Sequence, residues 1–223
     1  MKKWLFLKLV MLLSCCIAPG ILLAQGTAVV STGHATVTLL SEQVKTVPDQ
    51  TLWLALRFEL IPHWHIYWRN PGASGSAPVI RWTLPAGWEA GAVQWPVPKR
   101  IRVGPLTNYG YEDSVSLLVP VEVPPGPLPA GPQSIIAEAE WLVCRVDCIP
   151  ENGRLTLELN NAGSESIMAT ETRELFTAAR AQWPAVTTLA GGYRLEDDTL
   201  AISVAMPGTL SPAPADVWFA ANE

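Results

Sequence analysis

A chain of 223 residues with 15 basic and 20 acidic groups has a formal net charge of −5, which argues against nucleic acid or anionic lipid as a partner. Twenty prolines, sixteen glycines and ten tryptophans beside a charged fraction of 16% suit an exported β-protein with many turns. Beyond the first residues no apolar run is long enough to cross a bilayer.

Residues 1–24 read as an export signal. Met1-Lys2-Lys3 supplies the positive start, an apolar run broken by Lys8 reaches Leu23, and Ala24 is a small residue suited to cleavage before Gln25. A rival reading takes Leu12-Leu13-Ser14-Cys15 as a loose lipoprotein cleavage box. Loss of the signal removes Lys2, Lys3 and Lys8 and no acid, deepening the formal charge to −8. It also removes Cys15 and Cys16.

The stretch 27–161 reads as strands and turns. In Thr51-Leu52-Trp53-Leu54-Ala55-Leu56-Arg57-Phe58-Glu59-Leu60, the residues Leu52, Leu54, Leu56, Phe58 and Leu60 share one face. Period two over ten residues is a strong strand signal. Residues 115–123, 134–143 and 154–159 are further candidates. Turn clusters separate them: Asn70-Pro71-Gly72, Pro85-Ala86-Gly87, Pro124-Pro125-Gly126-Pro127 and Glu151-Asn152-Gly153. The fold class expected is all-β, an immunoglobulin-like β-sandwich.

After residue 161 the pattern changes. Ser164 can cap a helix over roughly 165–182, with Ile167, Met168, Leu175 and Phe176 as its apolar positions and Pro184 as its stop. Residues 162–185 thus form a helical linker. A second β pattern starts at 186 with Tyr193-Arg194-Leu195, Leu200-Ala201-Ile202-Ser203-Val204 and Asp216-Val217-Trp218-Phe219. Three strands cannot bury a core alone, so 186–223 reads as the start of a second, truncated β domain.

Once the signal is gone, Cys144 and Cys148 are the only cysteines, and an exported chain meets an oxidising compartment. In a continuing strand residues four apart lie about 13 Å apart. A disulfide needs Cα atoms within roughly 7 Å, so Arg145-Val146-Asp147 must turn for the pair to close. So small a ring would stabilise by only about 2 kcal/mol, which makes it a poor staple and a plausible store for two electrons. A structural hairpin disulfide and a thiolate metal pair remain open alternatives.

Two other segments are candidates. In Pro62-His63-Trp64-His65-Ile66-Tyr67-Trp68, an extended chain would put His63 and His65 on one face, as in a copper or zinc site. The aromatics Trp64, Tyr67 and Trp68 would otherwise fill the core or wall a disulfide pocket. In Asn108-Tyr109-Gly110-Tyr111-Glu112, two tyrosines flank a glycine, so a loop there could fold a ring over a neighbouring site and swing away. An ordinary turn with half-buried tyrosines is the plainer reading.

These segments occur together in a specific order: Trp64-His65-Ile66-Tyr67-Trp68-Arg69-Asn70-Pro71-Gly72, Ile80-Arg81-Trp82-Thr83-Leu84-Pro85-Ala86-Gly87-Trp88, Gln94-Trp95-Pro96-Val97-Pro98, Asn108-Tyr109-Gly110-Tyr111-Glu112, and Trp141-Leu142-Val143-Cys144 with Cys148-Ile149-Pro150-Glu151. The set resembles the N-terminal periplasmic domain of the DsbD family of transmembrane thiol:disulfide reductases, most of all the ScsB (suppressor of copper sensitivity) branch. The resemblance implies an immunoglobulin-like periplasmic domain that needs no cofactor. Cys144 and Cys148 match its catalytic pair, and Cys148 the cysteine that forms the mixed disulfide. Asn108, Tyr109, Gly110, Tyr111 and Glu112 match a cap loop shielding the disulfide. Electrons would come from a membrane-embedded reductase domain outside these residues, which would anchor the full-length protein in the inner membrane. They would pass to periplasmic thioredoxin-fold proteins.

Overall fold

The computed structural model describes residues 27–159, 170–185 and 190–205. In chain order it contains β1 (Thr27–Ser31), β2 (Ala35–Ser41), β3 (Thr51–Leu60), β4 (His65–Gly72), β5 (Val79–Thr83), β6 (Glu89–Ala90), β7 (Lys99–Val103), β8 (Leu106–Glu112), β9 (Ser114–Glu122), β10 (Gln133–Cys144) and β11 (Cys148–Leu159). Helix α1 (Thr170–Ala181) and the strands β12 (Gly191–Glu196) and β13 (Thr199–Val204) follow. The expected export signal, Ser164, Ile167, Met168 and the strand around Trp218 lie outside the described residues.

Two antiparallel sheets face each other as an immunoglobulin-like sandwich. The back sheet has the order β1-β2-β3-β9-β6 and the front sheet β11-β10-β4-β8-β7, with β5 also paired to β10. Period two decides what enters the core. Leu52, Leu54, Leu56 and Phe58 of β3 are buried, as are Ile135, Ala137, Ala139, Trp141 and Val143 of β10. Phe58 meets Trp141 edge to face across the two sheets, ring centres 5.3 Å apart. Burying one such side chain stabilises by roughly 1.5–3 kcal/mol.

Ala55 and Leu118 fall on the wrong parity for that core and yet are buried. Helix α1 is the reason. Phe176 and Ala179 pack on Leu40, Ala55 and Leu118, and Leu175, Trp53 and Trp183 flank this second apolar cluster. Arg180 ties it down with two 2.6 Å hydrogen bonds to the Glu42 carboxylate. The helical segment thus lies against the outer side of the back sheet. The β12–β13 hairpin turns at Asp197-Asp198, and its side chains are exposed.

Three turn expectations give way to strands. Glu151-Asn152-Gly153 lies inside β11, paired residue for residue with Trp141, Glu140 and Ala139. Gly153 serves close packing there, since a Cβ would sit 3.0 Å from a Val30 methyl. Asn70-Pro71-Gly72 ends β4, where the register to β8 shifts between Tyr67 and Gly72. Asn108 to Glu112 is strand as well, held between β7 and β4 in β8, so it is no swinging loop.

Candidate functional site

The cysteines close one end of the longest hairpin. Strands β10 and β11 pair without interruption from Gln133↔Leu159 to Cys144↔Cys148. Arg145, Val146 and Asp147 make the required turn, the Arg145 N–H donating to the Asp147 carbonyl at 3.2 Å. This brings the Cα atoms to 4.2 Å and allows the Cys144–Cys148 disulfide. Environment separates the two residues: Cys144 is 2% exposed, whereas Cys148 is exposed at the hairpin end. Val146 between them is 77% exposed, an apolar side chain at the tip.

Strand β4 supplies the neighbours by alternation. Ile66 and Trp68 join the sandwich core, so His65 and Tyr67 lie on the outer face of the front sheet. His65 is the cross-strand partner of Cys144 on one side and of Glu112 on the other. Directly opposed residues share a face, so His65 and Cys144 are side-by-side neighbours. The Tyr67 hydroxyl lies 3.4 Å from Cys148 Sγ, and because a disulfide sulfur carries no proton the hydroxyl donates. The His65 and Tyr67 rings meet edge to face at 5.2 Å.

Burial sets the electrostatics. It pushes the His65 pKa below the ordinary histidine value, and the Glu112 charge opposes this only in part. It raises the Tyr67 pKa, partly offset by a hydrogen bond with Ser74. The His65 Nε2 is buried with no hydrogen-bond partner among the described residues. Such an orphaned group costs stability, which makes its position notable beside a buried cysteine.

The element lying on Tyr67 is the stretch 73–78 between β4 and β5. Gly75, at φ +89°, lies so close to the Tyr67 ring that a Cβ would fall 2.1 Å from its Cζ. Ser74 anchors this loop: its N–H and its hydroxyl donate to Asn108 Oδ1 at 3.0 and 3.1 Å. Asn108, expected in a cap, is instead a buried anchor for the loop that covers the tyrosine.

The other expected residues separate by parity. Tyr109 and Tyr111, two apart on β8, both face the core. Tyr111 is buried and donates its hydroxyl to the Pro96 carbonyl at 2.8 Å, and Tyr109 meets Trp68 edge to face. Burial also raises the Tyr111 pKa, against a smaller opposing effect of Arg69. Gly110 opposes Tyr67, its missing Cβ making room for the Ile66 carbonyl. Glu112 is next to His65 and pairs with Lys99 at 3.3 Å. Of the expected wall, Tyr67 reaches a sulfur and Trp68 fills the core. Trp64 packs tilted against His34, ring centres 3.9 Å apart, and lies under Arg145, whose guanidinium carbon is 5.8 Å from its ring centre.

His63 precedes β4 in a turn, with φ +73°, so the alternation that would align it with His65 does not apply. Among the described residues no group of three His, Cys, Asp or Glu side chains is placed to hold a metal ion. Sequence reasoning missed the support of the hairpin from behind. Glu151 accepts hydrogen bonds from the Thr32 hydroxyl and from His34 Nδ1, the latter at 2.8 Å, joining β11 to the β1–β2 turn. No spacing signal links residues so far apart. The His65–Cys144 pairing was equally invisible, although the shared parity of His65 and Tyr67 was there to be read.

No helix among the described residues is long and apolar enough to cross a membrane. Residues 36–160 match the family model described as thiol:disulfide interchange protein DsbD, N-terminal. Among solved structures, the N-terminal periplasmic domain of ScsB from Proteus mirabilis matches at TM-score 0.61 and 21% identity, over 79% of this chain and 67% of that one. At that identity the likeness is one of fold. A yeast GGA1 GAE domain aligns over 58% of this chain and 96% of its own at 14% identity, and its TM-score of 0.32 carries no weight. No curated protein matches the sequence.

Proposed function

Since this chain belongs to the family of the DsbD N-terminal thiol:disulfide interchange domain, we propose that it is an exported two-electron relay working through Cys144 and Cys148. The relay unit is the sandwich of residues 27–161, followed by the connecting helical segment 162–185 and a second β domain from 186. In the periplasm it receives electrons from a membrane-embedded reductase domain and hands them to thioredoxin-fold proteins. Each transfer is thiol–disulfide exchange: a thiolate attacks a disulfide sulfur and a mixed disulfide forms between the two proteins. No cofactor enters the chemistry.

The observation that most supports this is the asymmetry of the pair. An incoming thiolate can reach exposed Cys148, and Cys144, 2% exposed, is then the leaving group held inside the fold. A purely structural bond has weaker support. The hairpin is already aligned by continuous pairing back to Gln133↔Leu159, so its end needs no covalent lock.

Cysteine replacement tests the reading. With a thioredoxin-fold protein as partner, Cys144→Ser should accumulate the mixed disulfide, resolved by non-reducing electrophoresis, and Cys148→Ser should form none. Trapping by Cys148→Ser alone would reverse the roles. Full exchange by both variants would end the relay reading.

A further inference from the structure

Resting on that relay reading, we infer that His65 is the internal base of the second half of each exchange, holding the proton of Cys144 when the ring closes. A mixed disulfide on Cys148 leaves Cys144 as a thiol. To close the ring, Cys144 must lose its proton, and at 2% exposure solvent is a poor acceptor for it. An ordinary thiol, with a pKa of about 8.5, is only a few per cent ionised at neutral pH.

Several independent observations converge on His65. It opposes Cys144 directly across the β4–β10 pairing. It is 3% exposed, and its Nε2 is buried without a hydrogen-bond partner among the described residues, so this ring nitrogen is uncommitted. The other titratable groups around it are less suited. Tyr67, on the same strand, is pushed further from neutral pH by burial, and its hydroxyl is engaged with Cys148 Sγ. Glu112, on the opposite strand β8, is held by Lys99 of β7, which also lies 3.6 Å from Asp113. Burial keeps His65 neutral at pH 7 and therefore able to accept a proton.

The step balances as follows. The Cys144 Sγ–H bond breaks and its proton moves to His65 Nε2. The freed sulfur pair attacks Cys148 Sγ, the Cys144–Cys148 bond forms, and the bond from Cys148 to the partner sulfur breaks. The partner leaves as a thiolate, reduced, and this chain is oxidised by two electrons. In the reverse direction the departing Cys144 thiolate takes the proton back from the imidazolium.

The test uses the reduced chain and equimolar 5,5′-dithiobis(2-nitrobenzoic acid) in stopped flow. The first release of coloured thiolate reports attack by Cys148, and the second reports ring closure by Cys144. In the wild type the second phase should be flat from about pH 7 to 8.5 and fall below the ordinary histidine value as His65 gains a proton. His65→Gln should leave the first phase intact and slow the second by about 100-fold at pH 7. The remaining rate should climb tenfold per pH unit, as a step waiting for free thiolate must. A second phase in His65→Gln with the wild-type rate and profile overturns the inference. If that variant does not fold, the wild-type profile decides alone: a tenfold climb per unit between pH 6 and 8 means no internal base. Failure of the relay reading looks different. Both Cys144→Ser and Cys148→Ser would then exchange fully with the thioredoxin-fold partner, whatever the two phases show.

Discussion

The outer faces of the two sheets are covered in opposite ways. On the back sheet, α1 lays Phe176 and Ala179 over Leu40, Ala55 and Leu118, and a bidentate Arg180–Glu42 pair closes the rim. On the front sheet, near the sulfurs, the cover is the short 73–78 loop, resting on Tyr67 through Gly75 and pinned by Ser74 to Asn108. The first cover is apolar and adds stability. The second is thin and lies over a polar layer of Tyr67, His65 and Cys144, one atom of which has no partner among the described residues. Apolar covering hides surface for good, whereas a polar layer under a light cover can keep its groups ready for reaction.

Breaking the back cover should give the largest effect on stability and none on chemistry. Phe176→Ala removes the centre of the α1 cluster and should cost about 3–5 kcal/mol in urea denaturation. Thiol-exchange rates of the folded variant should stay at wild-type values. A changed rate would mean that the two faces communicate.

Breaking the front cover should do the reverse. Gly75→Ala forces a Cβ into the Tyr67 ring at a left-handed backbone position, which strains the loop by about 1–3 kcal/mol. Reduction of the disulfide by a small thiol should become several-fold faster as the loop moves off the tyrosine. An unchanged rate with a lowered melting temperature would reduce the loop to a structural element.

A smaller change probes the hydroxyl alone. Tyr67→Phe deletes the donor to Cys148 Sγ, worth about 1 kcal/mol or fivefold in an equilibrium. The Cys148 thiol of the reduced chain should become harder to ionise, seen in the pH dependence of alkylation. Equal alkylation profiles would show that the hydroxyl serves only the oxidised form.

The least effect should come from the buried histidine in the stability curve. The His65 pKa is lowered from 6.5 in the folded chain, so below 6.5 the unfolded chain binds a proton that the folded chain refuses. Stability should decline as pH falls from 6.5 towards the lowered value, with no contribution from His65 above 6.5. Denaturation of His65→Gln between pH 5 and 7 should lose that part of the slope.

Much of the sandwich was legible in the sequence because a two-residue period is a local property. The alternation of β3 marked Leu52, Leu54, Leu56 and Phe58 as core, and the structure buries them. The turn between Cys144 and Cys148 followed from strand rise and disulfide reach, before any partner strand was known. Glycine and proline signals did less well. Gly153 and Gly110 serve close strand packing, and a glycine kept for space looks the same in a sequence as one kept for a turn.

Pairing across the sheets was decided only by the tertiary structure. The sequence by itself determined that Tyr109 and Tyr111 share a parity and that His65 and Tyr67 share one. It could not determine which parity faced the sulfurs, since that depends on how β4 registers against β10 and β8. A one-residue slip in register exchanges the two faces of a strand. Register joins Cys144 with His65, and a side-chain hydrogen bond joins Glu151 with His34, across distances in the chain that no local pattern encodes.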